Sequence, residues 1–298
     1  MNRQNIIQEQ LASQSVGAVD WGGIIWYLLG AFGISWTLII GLRPVTSQAE
    51  TIGMFGPALA CLLVRLLRRE GFAGTGLRPA SPGEKSAWRW YATAYAVPVT
   101  ILGVSIGTSF FLGIQHWILP ETARQLEVST LQLTGILLLL PVVIVGLVML
   151  PTFGEELGWR GYLLPRLLPL GETKATLISG FIWGLWHIPT ILLNNHGFGA
   201  ANPWLSIPMF VLVIMLYGIF LSWLRLRSGS IWPSVLAHAV INTSVSFLFA
   251  SFSVGNRYLE TPIGLMTLIP FAAFDLWLLL TGRLHGKRDS RRITGGKL

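Results

Sequence analysis

Cysteine and charge are both scarce in this chain. Its 298 residues include a single cysteine, Cys61, so neither an internal disulfide nor a multi-cysteine metal site can form. Only 11% of the residues are charged and 52% are hydrophobic, whereas about a quarter of an ordinary soluble domain is charged. The first twenty residues also lack the pattern of a removable signal peptide. These absences argue against redox chemistry and against a soluble globule, and they indicate a membrane protein that keeps its first apolar segment.

Long apolar stretches recur along most of the chain. A helix needs about 20 apolar residues to cross a hydrocarbon core of roughly 30 Å. By this measure the predicted spans are 22–42, 52–67, 90–113, 132–156, 175–193, 205–224, 231–252 and 262–282. The sequence therefore predicts an all-α polytopic integral membrane protein with about eight transmembrane helices. Its membrane domain would cover residues 22–282, between a polar N-terminus at 1–21 and a basic tail at 283–298.

Positive charge falls mainly on one side of these predicted spans. An even number of spans places both termini on one side, and that side holds 18 of the 21 Lys and Arg residues. The other side holds only Arg43, Arg124 and Arg257. Because cytoplasmic loops collect Lys and Arg, both termini are predicted to be cytoplasmic. The net charge of +8 then favours contact with the headgroups of the lipid bilayer, and no nucleic-acid partner is expected.

A few polar residues lie in or beside the predicted spans, where an ionisable group costs about 2.5 to 3.5 kcal/mol. Glu155, Glu156 and Arg160 come at the cytoplasmic end of the fourth span. Residues four apart on a helix differ by only about 40° in direction, so Glu156 and Arg160 are predicted to pair. Glu155 points about 100° away from its neighbour. It is therefore expected to face other helices.

Imidazole and carboxamide groups come from two further spans. His187 lies in the fifth span, and His238 and Asn242 share one face of the seventh. A carboxylate in a dry pocket is a useful base for water, and a histidine can orient that water. A histidine and an asparagine one turn apart can both donate to a developing oxyanion. With Glu155, this set meets the requirements of peptide-bond hydrolysis.

Plainer interpretations stay open at this point. The two glutamates could form an interfacial charge cluster, and the histidines could be hydrogen-bonding links between helices. Trp183 and Trp186 are interpreted as packing or interfacial residues. Asp275, in the eighth span, fits no set of partners that the sequence suggests. Buried ionisable groups also suit proton or ion transport, although the chain lacks the internal repeats of many transporters.

Three motifs in order resemble the CAAX protease and bacteriocin-processing family, also called the Abi family, of intramembrane endopeptidases. EExxxR appears as Glu155, Glu156 and Arg160 within FGEELGWRGYLLPRL, and HxxxN appears as His238 and Asn242 in LAHAVIN. FxxxH is represented by Trp183 and His187 in FIWGLWHIP, with tryptophan in place of phenylalanine. The resemblance covers about residues 150–245.

The resemblance implies a role for each motif residue. Glu155 would activate water with help from His187, His238 and Asn242 would form the oxyanion hole, and Glu156 and Arg160 would be a supporting ion pair. Names in this family often include the word metalloprotease, but the chain lacks an HExxH pair. We therefore expect no required cofactor, with a divalent metal possible.

The substrate is less closely defined by the motifs. The tryptophan-rich segments resemble bacterial members, which favours a bacterial plasma-membrane protein and makes a prenylated substrate the less favoured choice. A membrane-associated peptide reached from the cytoplasmic side is the expected partner. The alternative is a non-catalytic membrane protein that serves bacteriocin immunity or secretion.

Overall fold

The protein is an all-α bundle. The computed structural model describes residues 18–80, 87–194, 202–252 and 255–284, and each of the eight predicted spans coincides with a helix or a broken pair of helices. The α-helices are α1 Trp21–Leu42, α2 Ala49–Gly53, α3 Gly56–Leu67, α4 Ala87–Phe111, α5 Leu119–Gln125, α6 Thr130–Gly158, α7 Leu164–Leu167, α8 Glu172–Trp186, α9 Ile188–Asn194, α10 Pro203–Ser228, α11 Trp232–Ser251 and α12 Leu265–Leu280.

Several of these helices suit a bilayer by length and composition. Within the described ranges, five helical stretches are long and apolar enough to cross a membrane: Trp21–Leu42, Ala49–Leu67, Ala87–Phe111, Glu172–Leu193 and Pro203–Ser228. α12 is a shorter apolar helix. The prediction of a polytopic all-α integral membrane protein is confirmed, while the count of eight spans stays a prediction. Residues 1–17 and 285–298, which include most of the predicted polar N-terminus and basic tail, lie outside the described residues.

The fifth predicted span differs from a single continuous helix. α8 ends at Trp186, and α9 begins at Ile188, so His187 lies at the break. Pro189 accounts for this break because its ring nitrogen cannot donate to the preceding turn and its ring crowds that turn's carbonyl. The imidazole is thereby placed at a helix end, although the prediction put it inside a helix.

The helix of the fourth predicted span continues beyond the apolar run. α6 extends to Gly158, and the chain then winds through a π-helical turn, Trp159–Leu163, before α7. π-helical turns often occur at functional sites. Here the turn follows directly after the two adjacent glutamates.

Small residues allow close contact between two helices that carry the candidate site and their neighbours. A Cβ atom on Gly218 of α10 would lie 2.9 Å from the Cα of Gly180 on α8, and one on Gly154 of α6 would lie 2.8 Å from the carbonyl oxygen of Met54. Glycine at such positions lets backbones approach in a membrane bundle. α8 therefore packs tightly on α10, and α6 packs tightly on the segment that leads into α3.

The start of α11 is fixed against α6. The Phe153 and Trp232 rings stack at 5.3 Å, and the Thr152 hydroxyl donates to the carbonyl of Val235 at 3.3 Å. The Ser230 hydroxyl accepts from the N–H of Trp232 at 3.2 Å, at the start of α11. These contacts set the height of α11 relative to the glutamates on α6.

Candidate active site

Glu155 is buried and receives two indole N–H groups. Its Oε2 accepts from Nε1 of Trp183 at 2.6 Å and from Nε1 of Trp159 at 3.4 Å. Only 2% of Glu155 is exposed. Trp183 lies on α8, so the carboxylate faces another helix, as its rotation from Glu156 predicted.

Glu156 forms a buried charged cluster with two partners. Its Oε1 lies 2.9 Å from Nη1 of Arg160 and 3.0 Å from Nδ1 of His238. The Glu156 and Arg160 side chains are completely buried. The predicted pairing of Glu156 with Arg160 is confirmed, and the contact with His238 joins this pair to α11.

His187 is held by its own helix. Its Nδ1 lies 2.9 Å from the carbonyl oxygen of Trp183, and its ring packs edge-on against Trp186 at 4.8 Å between ring centroids. A backbone carbonyl only accepts hydrogen bonds, so Nδ1 must carry the proton. In the neutral ring, Nε2 then carries the lone pair.

Trp183 links three of the four predicted catalytic residues. It donates to Glu155, its carbonyl binds His187, and its ring lies 5.7 Å from the His187 ring and 5.2 Å from the His238 ring. Among the described residues, Asn242 is related to this group by its place one turn beyond His238 on α11. The structure thus brings together one carboxylate and two imidazoles from three segments of the chain.

The sequence-based interpretation of Trp183 as a packing residue was incomplete. The side chain is almost fully buried, as packing requires, but its indole nitrogen also binds Glu155. A phenylalanine at this point of the FxxxH pattern could not donate. The substitution of tryptophan was therefore the sequence signal that could have revealed this contact.

The described side chains do not make up a metal site. Within those ranges, no group of three or more His, Cys, Asp or Glu side chains is arranged to hold an ion. Protein zinc sites commonly use three or four such ligands. The expectation that no metal is required stays a prediction, and we derive no step through a metal.

Asp275 is not among the described residues that contact Trp183. Only 1% of it is exposed on α12, and neither carboxyl oxygen has a hydrogen-bond partner in the described part of the chain. The structure thus gives it no role in the candidate site.

Comparison with known proteins adds independent support for the motifs. The family model described as "Type II CAAX prenyl endopeptidase Rce1-like" matches residues 137–244, a range that contains every candidate site residue. A protein named CAAX prenyl protease 2 from Methanococcus maripaludis is 28% identical over 134 residues, which cover 43% of this chain. The matched region spans about half of that relative, 48% of its length. Together these matches support the assignment of this integral membrane protein to the CAAX protease and bacteriocin-processing family.

Proposed function

We propose that the protein is an intramembrane endopeptidase that hydrolyses a peptide bond of a membrane-associated peptide or protein with a glutamate-activated water. The observation that carries the proposal is the group around Trp183, where Glu155, His187 and His238 contact one side chain. The family match supports the same chemistry. A buried carboxylate beside two imidazoles suits proton transfer to and from water.

Glu155 is the general base in this proposal. Its Oε2 is occupied by two indole donors, so Oε1 takes a proton from the attacking water. The water oxygen forms a bond to the substrate carbonyl carbon, and the carbonyl oxygen becomes an oxyanion. When this intermediate collapses, the carbon–nitrogen bond breaks and Glu155 returns the proton to the leaving amine. The products are a new amine and a new carboxylic acid, which then loses its remaining proton to give the carboxylate.

The histidines and the asparagine have separate tasks. His187 offers the Nε2 lone pair as an acceptor that orients the water, because its Nδ1 proton is bound to a carbonyl. His238 and Asn242 donate to the oxyanion. Since Nδ1 of His238 already faces Glu156, donation from Nε2 as well requires the doubly protonated ring. This ties the oxyanion role of His238 to its charged form.

Glu156 and Arg160 support these groups without touching the substrate. Glu156 holds His238 through Nδ1, and Arg160 neutralises Glu156 while lying 4.4 Å from the centre of the Trp183 ring. A residue that binds the second nitrogen of an imidazole sets its orientation. The pair thus acts through His238 and Trp183.

We also propose that the reaction needs no metal ion. Polar groups of the protein already bind these side chains. The indole N–H of Trp183 binds Glu155, the Trp183 carbonyl binds His187, and Arg160 binds Glu156. Dialysis of the purified protein against a strong chelator is expected to leave the cleavage rate within about twofold, because the base is a side chain. A rate that is lost on dialysis and restored by one divalent ion would contradict this.

The test uses purified protein in proteoliposomes and mass spectrometry of matched peptides, one carrying a farnesylated cysteine and one carrying an alkylated cysteine without the prenyl group. Cleavage of either peptide that is lost in Glu155→Gln supports the endopeptidase. The control variant is Glu121→Gln, since Glu121 is half-exposed and pairs with Arg124 away from the site. No cleavage of these or of a broader membrane-peptide set by correctly folded protein would overturn the proposal.

The same assay separates the two substrate classes. The curated relative is named a prenyl protease, whereas the tryptophan-rich segments resemble bacterial members and favour an unprenylated peptide. We propose the broader class, a membrane-associated peptide reached from the cytoplasmic side of a bacterial plasma membrane. The ratio of the two cleavage rates decides between the prenylated and unprenylated forms.

A further inference from the structure

We infer that Trp183 is a positioning residue that selects which oxygen of Glu155 acts on water. Its indole N–H binds Oε2 and leaves Oε1 for the attacking water. The inference rests on the proposed function, because it concerns the base of that reaction. It goes beyond the motifs, since FxxxH has phenylalanine at this position and phenylalanine has no donor.

The geometry of the contact favours a strong hydrogen bond. The distance from Nε1 of Trp183 to Oε2 is 2.6 Å, and both residues are buried. Hydrogen bonds to charged acceptors are shorter and stronger than neutral ones. The second indole, from Trp159, approaches the same oxygen at 3.4 Å, near the outer limit of a hydrogen bond. Trp183 is therefore the main donor.

The ring of Trp183 is itself held by two neighbouring side chains. The guanidinium carbon of Arg160 lies 4.4 Å from the ring centroid, and the His238 ring lies 5.2 Å away in an edge contact. A donor fixed in this way orients the carboxylate without a further loss of side-chain freedom.

The first test compares three tryptophan variants in the cleavage assay. Trp183→Phe keeps an aromatic ring but removes the donor, so kcat is expected to fall about 10- to 100-fold, as for the loss of a hydrogen bond to a charged group. KM is expected to change less than about twofold, because the contact does not touch the substrate. Trp159→Phe should have a smaller effect.

Trp186→Phe is the matched control, because it loses the same side-chain volume as Trp183→Phe. Trp186 is equally buried and also contacts His187, but its indole nitrogen has no hydrogen-bond partner within the described ranges. The kcat of Trp186→Phe is expected to stay closer to the wild-type value than the kcat of Trp183→Phe or Trp159→Phe. Equal losses in Trp183→Phe and Trp186→Phe would assign the effect to packing and would overturn the inference.

A second replacement removes only the donor. 3-Benzothienylalanine has the shape of tryptophan with sulfur in place of the N–H, so at position 183 it keeps the packing. We expect the same loss of kcat as in Trp183→Phe. Wild-type activity with this residue would overturn the inference even if Trp183→Phe folds poorly.

A spectroscopic measurement tests the contact without any substrate. In protein labelled with nitrogen-15 at the indole nitrogens, the resonance absent from Trp183→Phe belongs to Trp183. That resonance is expected to move in Glu155→Gln and to stay in place in Glu121→Gln. An unmoved resonance in Glu155→Gln would contradict the hydrogen bond. Because this result does not depend on cleavage, failure of the inference and failure of the proposed function are distinguishable.

Discussion

The charge on Glu156 is balanced entirely inside the protein. Its carboxylate faces Nη1 of Arg160 and Nδ1 of His238, whereas Nε and Nη2 of Arg160 have no hydrogen-bond partner among the described residues. Glu156 is thus the carboxylate that Arg160 binds directly, and Glu155 is a second negative charge nearby. A buried pair of this kind contributes little when intact, but it is costly to break.

Glu156→Gln is therefore expected to destabilise the protein by about 3 to 5 kcal/mol, because it removes the carboxylate that a buried guanidinium binds directly. The measurement is equilibrium unfolding in detergent. Glu121→Gln is the matched control, since it breaks an exposed helical pair with Arg124 and should cost at most about 1 kcal/mol. Similar losses of stability in the two variants would show that burial does not determine the cost of breaking an ion pair.

Among the contacts of individual site residues, the sequence predicted some and missed others. The pairing of Glu156 with Arg160 followed from helical spacing because both residues lie on one helix. The contacts from Trp183 to Glu155 and from Glu156 to His238 join different helices. Such contacts depend on how the helices are placed against each other, which spacing along the chain does not determine.

The packing of α8 on α10 controls the position of Trp183 and His187, because both residues lie on or at the end of α8. The contact depends on Gly180 and Gly218, whose backbones approach closely. A side chain at either position would force the two helices apart.

Gly218→Ala is expected to lower stability by about 1 to 3 kcal/mol, as overpacking does, and to reduce cleavage in parallel. Thermal unfolding in detergent and the cleavage assay measure the two effects. Gly107→Ala on α4 is the control, because a Cβ atom there has nothing within 4 Å. It should be neutral or slightly stabilising, since alanine favours a helix over glycine by about 1 kcal/mol. A Gly218→Ala variant as stable and active as Gly107→Ala would show that the close contact is not required.

For whole helices, the apolar pattern was a reliable guide to existence and a poor guide to breaks. All eight predicted spans fall on helices, yet the fifth is interrupted at His187 and the second at Met54 and Phe55. The interruption of the fifth span follows from Pro189. A window of hydropathy detects long apolar segments, but it does not detect the loss of a single backbone hydrogen bond.

For the whole molecule, the distribution of Lys and Arg makes a testable prediction of orientation. In a Cys61→Ser background, cysteine at position 124 is expected to react with a membrane-impermeant maleimide on intact cells. Cysteine at position 174 should react only after permeabilisation. Both native residues are exposed in the structure, so access within the fold does not limit either site. The reverse pattern would mean that the termini lie outside the cell.

The central claim is that Glu155 takes a proton from the water that cleaves the peptide bond. The most direct measurement is cleavage in oxygen-18 water by wild type and Glu155→Gln, with the new carboxyl terminus analysed by mass spectrometry after a single turnover. We predict one labelled oxygen in the wild-type product and a rate at least about 1000-fold lower in Glu155→Gln, as for the loss of an essential base. An unlabelled carboxyl terminus from wild type, or an undiminished rate in folded Glu155→Gln, would contradict the account.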